Sequence, residues 1–146
     1  MSVSLTALQE DFAATGIAAI RRIFTSANIP PGLQARDLPV LMPDPSRPVE
    51  SSTSTRLTMG GAGWVRTRIL NYLCFVAEAG TGRTPADHAE LLAQCIDGVE
   101  NALCDWRPDV CHGLPTVIVG AAVQITDPAG KSFLGFPVAV TVTMSY

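Results

Sequence analysis

The sequence predicts an α+β fold: a mixed, mainly antiparallel sheet of about four main strands packed by two helices, with a long irregular loop, in a single domain spanning residues 1–146. Three observations lead there. Two stretches near the C-terminus alternate apolar and polar residues with the period of two that marks half-buried strands. A third stretch, Trp64 to Ala77, is apolar on both faces from Leu70 to Ala77 except for Asn71, as expected of a strand whose middle is covered on both faces. Two further stretches repeat apolar residues at helical spacing. A chain of 146 residues can bury roughly two-thirds of its unfolded surface, which suits one core.

The first helix is expected from Leu5 to Phe24. Leu5, Leu8, Phe12, Ala19 and Ile23 share a stripe that Ala13, Ile17, Ile20 and Phe24 widen, and Thr6 with Gln9 fits a capping box. Residues 25–63 form the irregular loop. Pro30, Pro31, Pro39, Pro43, Pro45 and Pro48 punctuate it, a Ser/Thr cluster follows, and Gly60-Gly61-Ala62-Gly63 closes it as a turn. Leu38 to Met42 and Thr53 to Met59 are the short edge strands expected inside it. A connection of this length is normally functional or disordered, so it is a candidate partner-binding loop, with Asp44 and Arg47 as charged contacts.

Trp64 to Ala77 is the long central strand. Trp64, Arg66 and Arg68 share a face near its start, so the strand is expected to run from a half-exposed edge into a covered middle. Its length calls for a bulge or a protruding hairpin. The second helix starts at Thr84 as N-cap with Pro85 in the first turn and Asp87 and Glu90 where the helix dipole favours negative charge. Leu92, Cys95, Ile96, Val99, Leu103 and Trp106 face inward. Asp87, Glu90, Gln94, Asp97 and Asn101, flanked by Glu100, make the outer face acidic. The chain then closes on a hairpin. Val117, Val119, Ala121, Val123 and Ile125 are expected on one face of its first arm, and Phe136, Val138, Val140, Val142, Met144 and Tyr146 on one face of its second. Asp127 to Lys131 is the turn between them, and Pro137, which cannot donate to a ladder, marks an edge or bulge.

Composition narrows the function. A net charge of −3 carries no electrostatic footprint for nucleic acid, so no specific nucleic-acid binding is expected. No run of about eighteen apolar residues is present, which argues against a membrane-spanning helix. The first residues, Met1-Ser2-Val3-Ser4, lack the basic-then-apolar pattern of a secretory signal, so a cytoplasmic chain is expected. Nine of the ten basic residues are Arg, which suits a GC-rich genome and also bidentate interface contacts. Among the four cysteines, Cys74 and Cys95 fall on apolar faces and read as core. Cys104, Cys111 and His112 have neither a Cys-x-x-Cys pair nor a second ligand pair, so no metal or cofactor is expected. His88 reads as a packing residue. No nucleophile, base and orienting group share a local signature, so no enzyme is expected.

The element order, the length and the closing stretch from Phe136 to Tyr146 together resemble the tail-terminator (tail-completion) proteins of long-tailed bacteriophages. The resemblance is one of pattern and covers most of the chain. It implies a structural protein of the virion, assembled in the host cytoplasm, that forms a ring, commonly a homohexamer, at the head-proximal end of the tail. Its partners are then other copies of itself, the tail tube, the sheath of a contractile tail, and the head-neck or connector proteins. A head-to-tail ring needs two different patches per subunit. The expected pair is Arg66 and Arg68 of one copy against the acidic helix face with Asp97 and Glu100 of the next, while the loop with Asp44 and Arg47 reaches axial partners. Another neck or head-tail joining protein shares this pattern, and an alternative of a different class is a small α+β enzyme or ligand-binding domain with a site near Cys104, Cys111 and His112.

Overall fold

One open sheet of seven strands organises the molecule, and its centre is the longest strand of the chain. The computed structural model describes residues 5–56, 64–79, 85–104, 106, 116–121 and 123–145. Its elements are α1 (Leu5–Ala14), β1 (Arg22–Ile23), β2 (Val40–Pro43), β3 (Val49–Arg56), β4 (Trp64–Glu78), α2 (Ala89–Cys104), β5 (Thr116–Val119), β6 (Val123–Thr126) and β7 (Ser132–Ser145), with 3-10 turns at Ala35–Asp37 and Pro85–His88. β2 and β3 lie end to end along one side of β4, and β7 lies along the other. β5 and β6 lie end to end outside β7. These pairings are antiparallel; only the two-residue β1 runs parallel to its neighbour β2. The seven strands thus occupy about four main positions, as the sequence pattern predicts.

Alternation along the strands builds two cores. Leu70, Tyr72 and Cys74 of β4, with Phe136, Val138, Val140 and Val142 of β7, face α1 and α2 and pack on Leu8, Phe12, Leu92, Cys95, Val99 and Leu103. Phe12 stacks on Tyr72 at 4.6 Å between ring centroids and meets Trp106 edge-on at 5.2 Å. On the opposite face, Val40, Met42, Phe75 and Phe133 are covered by Phe24, Leu33 and Leu38. Residues 24–38 are therefore a second cover for the sheet rather than an excursion. Two links hold them there. The buried Gln9 carboxamide exchanges 2.8 Å bonds with Ser26, and the buried Asp127 carboxylate accepts from Leu33 N at 2.9 Å and Lys131 N at 2.8 Å.

Several expectations need correction. The first helix stops at Ala14, ten residues short of Phe24, because Gly16 takes a left-handed φ of +65° and ends it as a C-terminal cap. Ile17, Ile20 and Ile23 still reach the helix-side core, but from non-helical backbone. Gln9 is committed to Ser26 rather than to a capping box. The expected strand Thr53 to Met59 begins earlier, at Val49, and its residues 57–59 lie outside the described ones. The expected strand at Leu38 starts at Val40 and is screened from the edge by β1. β4 does carry a bulge, between Phe75 and Ala77, and its Arg66 and Arg68 end is flanked by β3. The N-cap position Thr84 lies outside the described residues, and Pro85–His88 opens the second helix as a 3-10 turn.

The hairpin departs most. Its first arm is two strands, one ending at Val119 and the next starting at Val123, and its apolar residues change faces between them. Val119 aligns with Val138 on the helix side, whereas Val123 aligns with Gly135 on the other, so four steps on this strand match three on β7. Pro137 explains the break. Its carbonyl accepts from Gly120 N at 2.8 Å, so its nitrogen points the same way and has no hydrogen to offer the neighbour. The outer strand loses its ladder at that point and gains a residue. Pro137 consequently sits within the central strand β7, not at its start, and β7 begins at Ser132.

Two substitutions test this packing. A Cβ on Gly135 would stand 1.9 Å from the Cys74 carbonyl oxygen, so Gly135→Ala forces the β4–β7 pair apart and is expected to cost about 2–4 kcal/mol. Asp127→Ala leaves Leu33 N–H without its partner and is expected to cost about 2–3 kcal/mol. Urea unfolding checks both: the midpoint falls while the slope stays that of the wild type.

Candidate interaction surface

The six charged residues that the sequence points to fall on three separate parts of the molecule. Arg66 and Arg68 are on β4, in register with Ser54 and Met144 and with Ser51 and Val142 respectively. Even positions of β4 face the helices, so Arg68 points toward the helix layer; it is half-buried, and its Nε is buried with no hydrogen-bond partner. The side chain of Arg66 is outside the described residues. The backbone that carries the pair is flanked by β3 on one side and β7 on the other.

Asp97 and Glu100 are exposed on the outer face of α2, as the helical periodicity predicts. Neither pairs with Arg68 among the described residues, whose ion pairs are Arg47–Glu50, at 3.5 Å, and Lys131–Glu78. The helix has no basic residue from Ala89 to Cys104, so its outer face is uniformly acidic. Its inner face is fixed by close approach: a Cβ on Gly98 would stand 2.3 Å from the Ala18 carbonyl oxygen.

Asp44 and Arg47 do come together. They belong to the link between β2 and β3, which stays fastened to β4 through Asp44 N to Asn71 O at 2.9 Å, Asn71 N to Pro48 O at 3.0 Å, and Asn71 Nδ2 to Arg47 O at 3.1 Å. The Asp44 carboxylate closes its own turn by accepting from Ser46 N at 3.0 Å and Ser46 Oγ at 2.7 Å. Asp44, Arg47, Asn71, Ile118, Pro137 and Ala139 line a groove of about 160 Å³. Ile118 is 61% exposed and Val123 43%, the two large apolar side chains on display among the described residues. Both flank the break in the outer strand.

Sequence periodicity missed this apolar pair because it placed Val117 and Val123 on one face. The available signal was Pro137 opposite the arm, which forbids an unbroken ladder. Sequence reading also missed a basic cluster. Arg21 and Arg22 line a cavity of about 330 Å³ with Phe24, Asn28, Leu33 and Asp37, and the Arg22 guanidinium lies 4.7 Å from the centre of the Phe24 ring. Assigning Arg21 and Arg22 to the back of a long helix concealed it.

Of the thiol and imidazole groups, Cys74 and Cys95 are buried, as expected. A side-chain hydrogen bond to Cys95, with burial behind it, holds the Cys74 thiol above its usual range. His88 is half-buried with Nε2 unpartnered, beside Leu38, Val76, Glu78 and Leu91. Cys104 ends α2, but its side chain, together with Cys111 and His112, lies outside the described residues. Among the described residues no three of His, Cys, Asp and Glu gather as a metal-binding group, and no helix is long and apolar enough to cross a membrane. What the described surface offers is charge and apolar contact area, the chemistry of association. No protein-family model matches the chain, and no curated protein matches it.

The core beneath this surface holds two orphaned donors, Tyr72 Oη and Trp106 Nε1, both around Phe12. Burial pushes the Tyr72 phenol above its ordinary range. The folded state therefore keeps the phenol protonated where the unfolded chain ionises it, and stability present below about pH 10 is lost as pH rises beyond it. Tyr72→Phe is expected to leave stability at pH 7 unchanged or raised by about 1 kcal/mol, since it removes an unpaired buried hydroxyl. Above pH 10 the wild type should lose up to about 1.4 kcal/mol per pH unit more than the variant. Parallel urea curves from pH 8 to 11.5 measure the difference; identical slopes for the two proteins contradict it.

Proposed function

We propose that the protein is a structural component of a long-tailed phage virion, a tail terminator that forms a homomeric ring at the head-proximal end of the tail tube. In this reading the ring stops tube polymerisation and presents a docking face to the head-neck complex. The observation that supports it best is the arrangement of one open sheet: a helix, a long covering loop, a long central strand, a second helix and a long returning strand, with apolar side chains on the outer strand and a charged outer helix face left unpartnered. Ring closure needs two unlike surfaces on each copy, and the sheet has unlike layers on its two faces. The groove at Asp44 and Arg47, on the link between β2 and β3, is the contact offered to axial partners: the tube, the sheath of a contractile tail, or a neck protein. Association through charge and apolar surface requires no cofactor.

Deletion of the gene from its phage is expected to give tails of uncontrolled length without attached heads, scored by negative-stain electron microscopy. Tails of normal length in the deletion overturn the terminator role. Heads and tails of normal length that fail to join assign the chain to another neck position. The assembled form is expected near six times the 15.4 kDa chain mass when measured by native mass spectrometry, with or without tail tube added.

A further inference from the structure

We propose that the arginine-rimmed pocket beside β1 receives the acidic outer face of α2 from a second copy of the chain. The proposal rests on the self-assembly in the ring reading and names the two surfaces that meet.

The pocket is prepared for a carboxylate-bearing partner. Its floor is apolar, made by Phe24 and Leu33 at the margin of the loop-side core. Its rim carries Arg21 and Arg22, with exposed Arg36 close by through the bond from Arg21 Nη1 to the Arg36 carbonyl. Arg22 is steadied over the Phe24 ring. Guanidinium groups already oriented in this way lose less freedom on binding, and Arg is the side chain whose planar fork matches a carboxylate. Asp37 is the one carboxylate lining the pocket, so these three arginines carry an excess of positive charge. None of the three forms an ion pair among the described residues.

The matching surface is present in the same sequence. Glu90, Asp97 and Glu100 are exposed, recur at helical spacing along α2, and likewise form no ion pair among the described residues. Over ten residues they extend about 15 Å along the helix. A single chain cannot join its own two surfaces, because α2 packs on one face of the sheet and the pocket opens beside the loop that covers the other. β1 makes the same point at the scale of one residue, since Ile23 packs toward the helix-side core and Phe24 belongs to the loop-side core. Two unlike surfaces on opposite faces generate a head-to-tail contact, which propagates until rotation closes it. Individual exposed ion pairs contribute little, so this pairing acts chiefly by fixing register and speeding encounter, and it weakens with salt.

The test uses the full chain and two exposed double variants, Arg22→Glu with Arg36→Glu and Asp97→Lys with Glu100→Lys, each checked for wild-type folding by circular dichroism. Sedimentation velocity at about 0.05 M and 0.5 M salt reads assembly, the range over which screening shortens from beyond 10 Å to a few ångströms. The wild type is expected to assemble at low salt and to weaken at least about tenfold at high salt, and each double variant alone to be mainly monomeric. An equimolar mixture of the two variants retains one reversed surface of each sign and one native surface of each sign, and the combined four-site variant restores complementarity, so this four-site protein should regain assembly. Wild-type assembly that neither double variant reduces, or a four-site variant that stays monomeric, overturns the pairing while leaving the ring reading to the tail-length experiment. A wild type that is monomeric at every concentration tested overturns a second copy as the occupant.

Discussion

The antiparallel pairing of β4 with β7, which runs from Val65 opposite Ser145 to Glu78 opposite Phe133 with one bulge between Phe75 and Ala77, is what the rest of the structure is arranged around. It places two strands with apolar residues on both faces at the centre of the sheet, and apolar area on two faces must be covered twice. The helices cover the side carrying Tyr72, Cys74, Phe136 and Val138. The other side, carrying Phe75 and Phe133 edge-on at 5.6 Å, is covered by residues 24–38. Among the described residues both α-helices lie on one side, so the loop takes that task on the other.

This gives the loop its physical logic. Its prolines and polar residues suggest mobility when read locally, yet Phe24, Leu33 and Leu38 are buried at intervals along it. The carboxylate of Asp127 reaches across 94 residues of sequence to hold Leu33. A buried acceptor bonded to two backbone N–H groups stabilises both the turn that contains it and the loop it grips, because either donor left alone would be buried without a partner. Gln9 and Ser26 act similarly between α1 and the start of the loop.

The fold class, the acidic outer face of α2, the buried cysteines and the helix-side alternation of β7 were legible because each depends on local spacing. The failures share a cause, which is pairing between distant segments. The end of α1 was misread because Ile17, Ile20 and Ile23 keep helical spacing after Gly16 has ended the helix. The outer strand was misread because its alternation continues through residues 120–122, while Pro137 on a neighbouring strand dictates the change of face. For the candidate surface, Asp97 and Glu100 were found because helix geometry exposes them. The half-burial of Arg68 was not legible, because it depends on what packs over a stretch of β4 that β3 and β7 flank rather than on local spacing. The basic cluster at Arg21 and Arg22 was visible only once the helix ended at Ala14 and left both residues at and beside β1.

The interrupted outer strand also bears on solubility. An open sheet edge is a template on which a stray strand from another molecule can add, and a long, regular edge invites fibre growth. Here the edge offers two segments of four residues each, Thr116–Val119 and Val123–Thr126, whose inward-facing positions are out of phase by one residue. An extended intruder that matched one segment would present the wrong face to the other. A single missing hydrogen on Pro137 thereby leaves this edge with apolar side chains and no long track for indiscriminate strand addition.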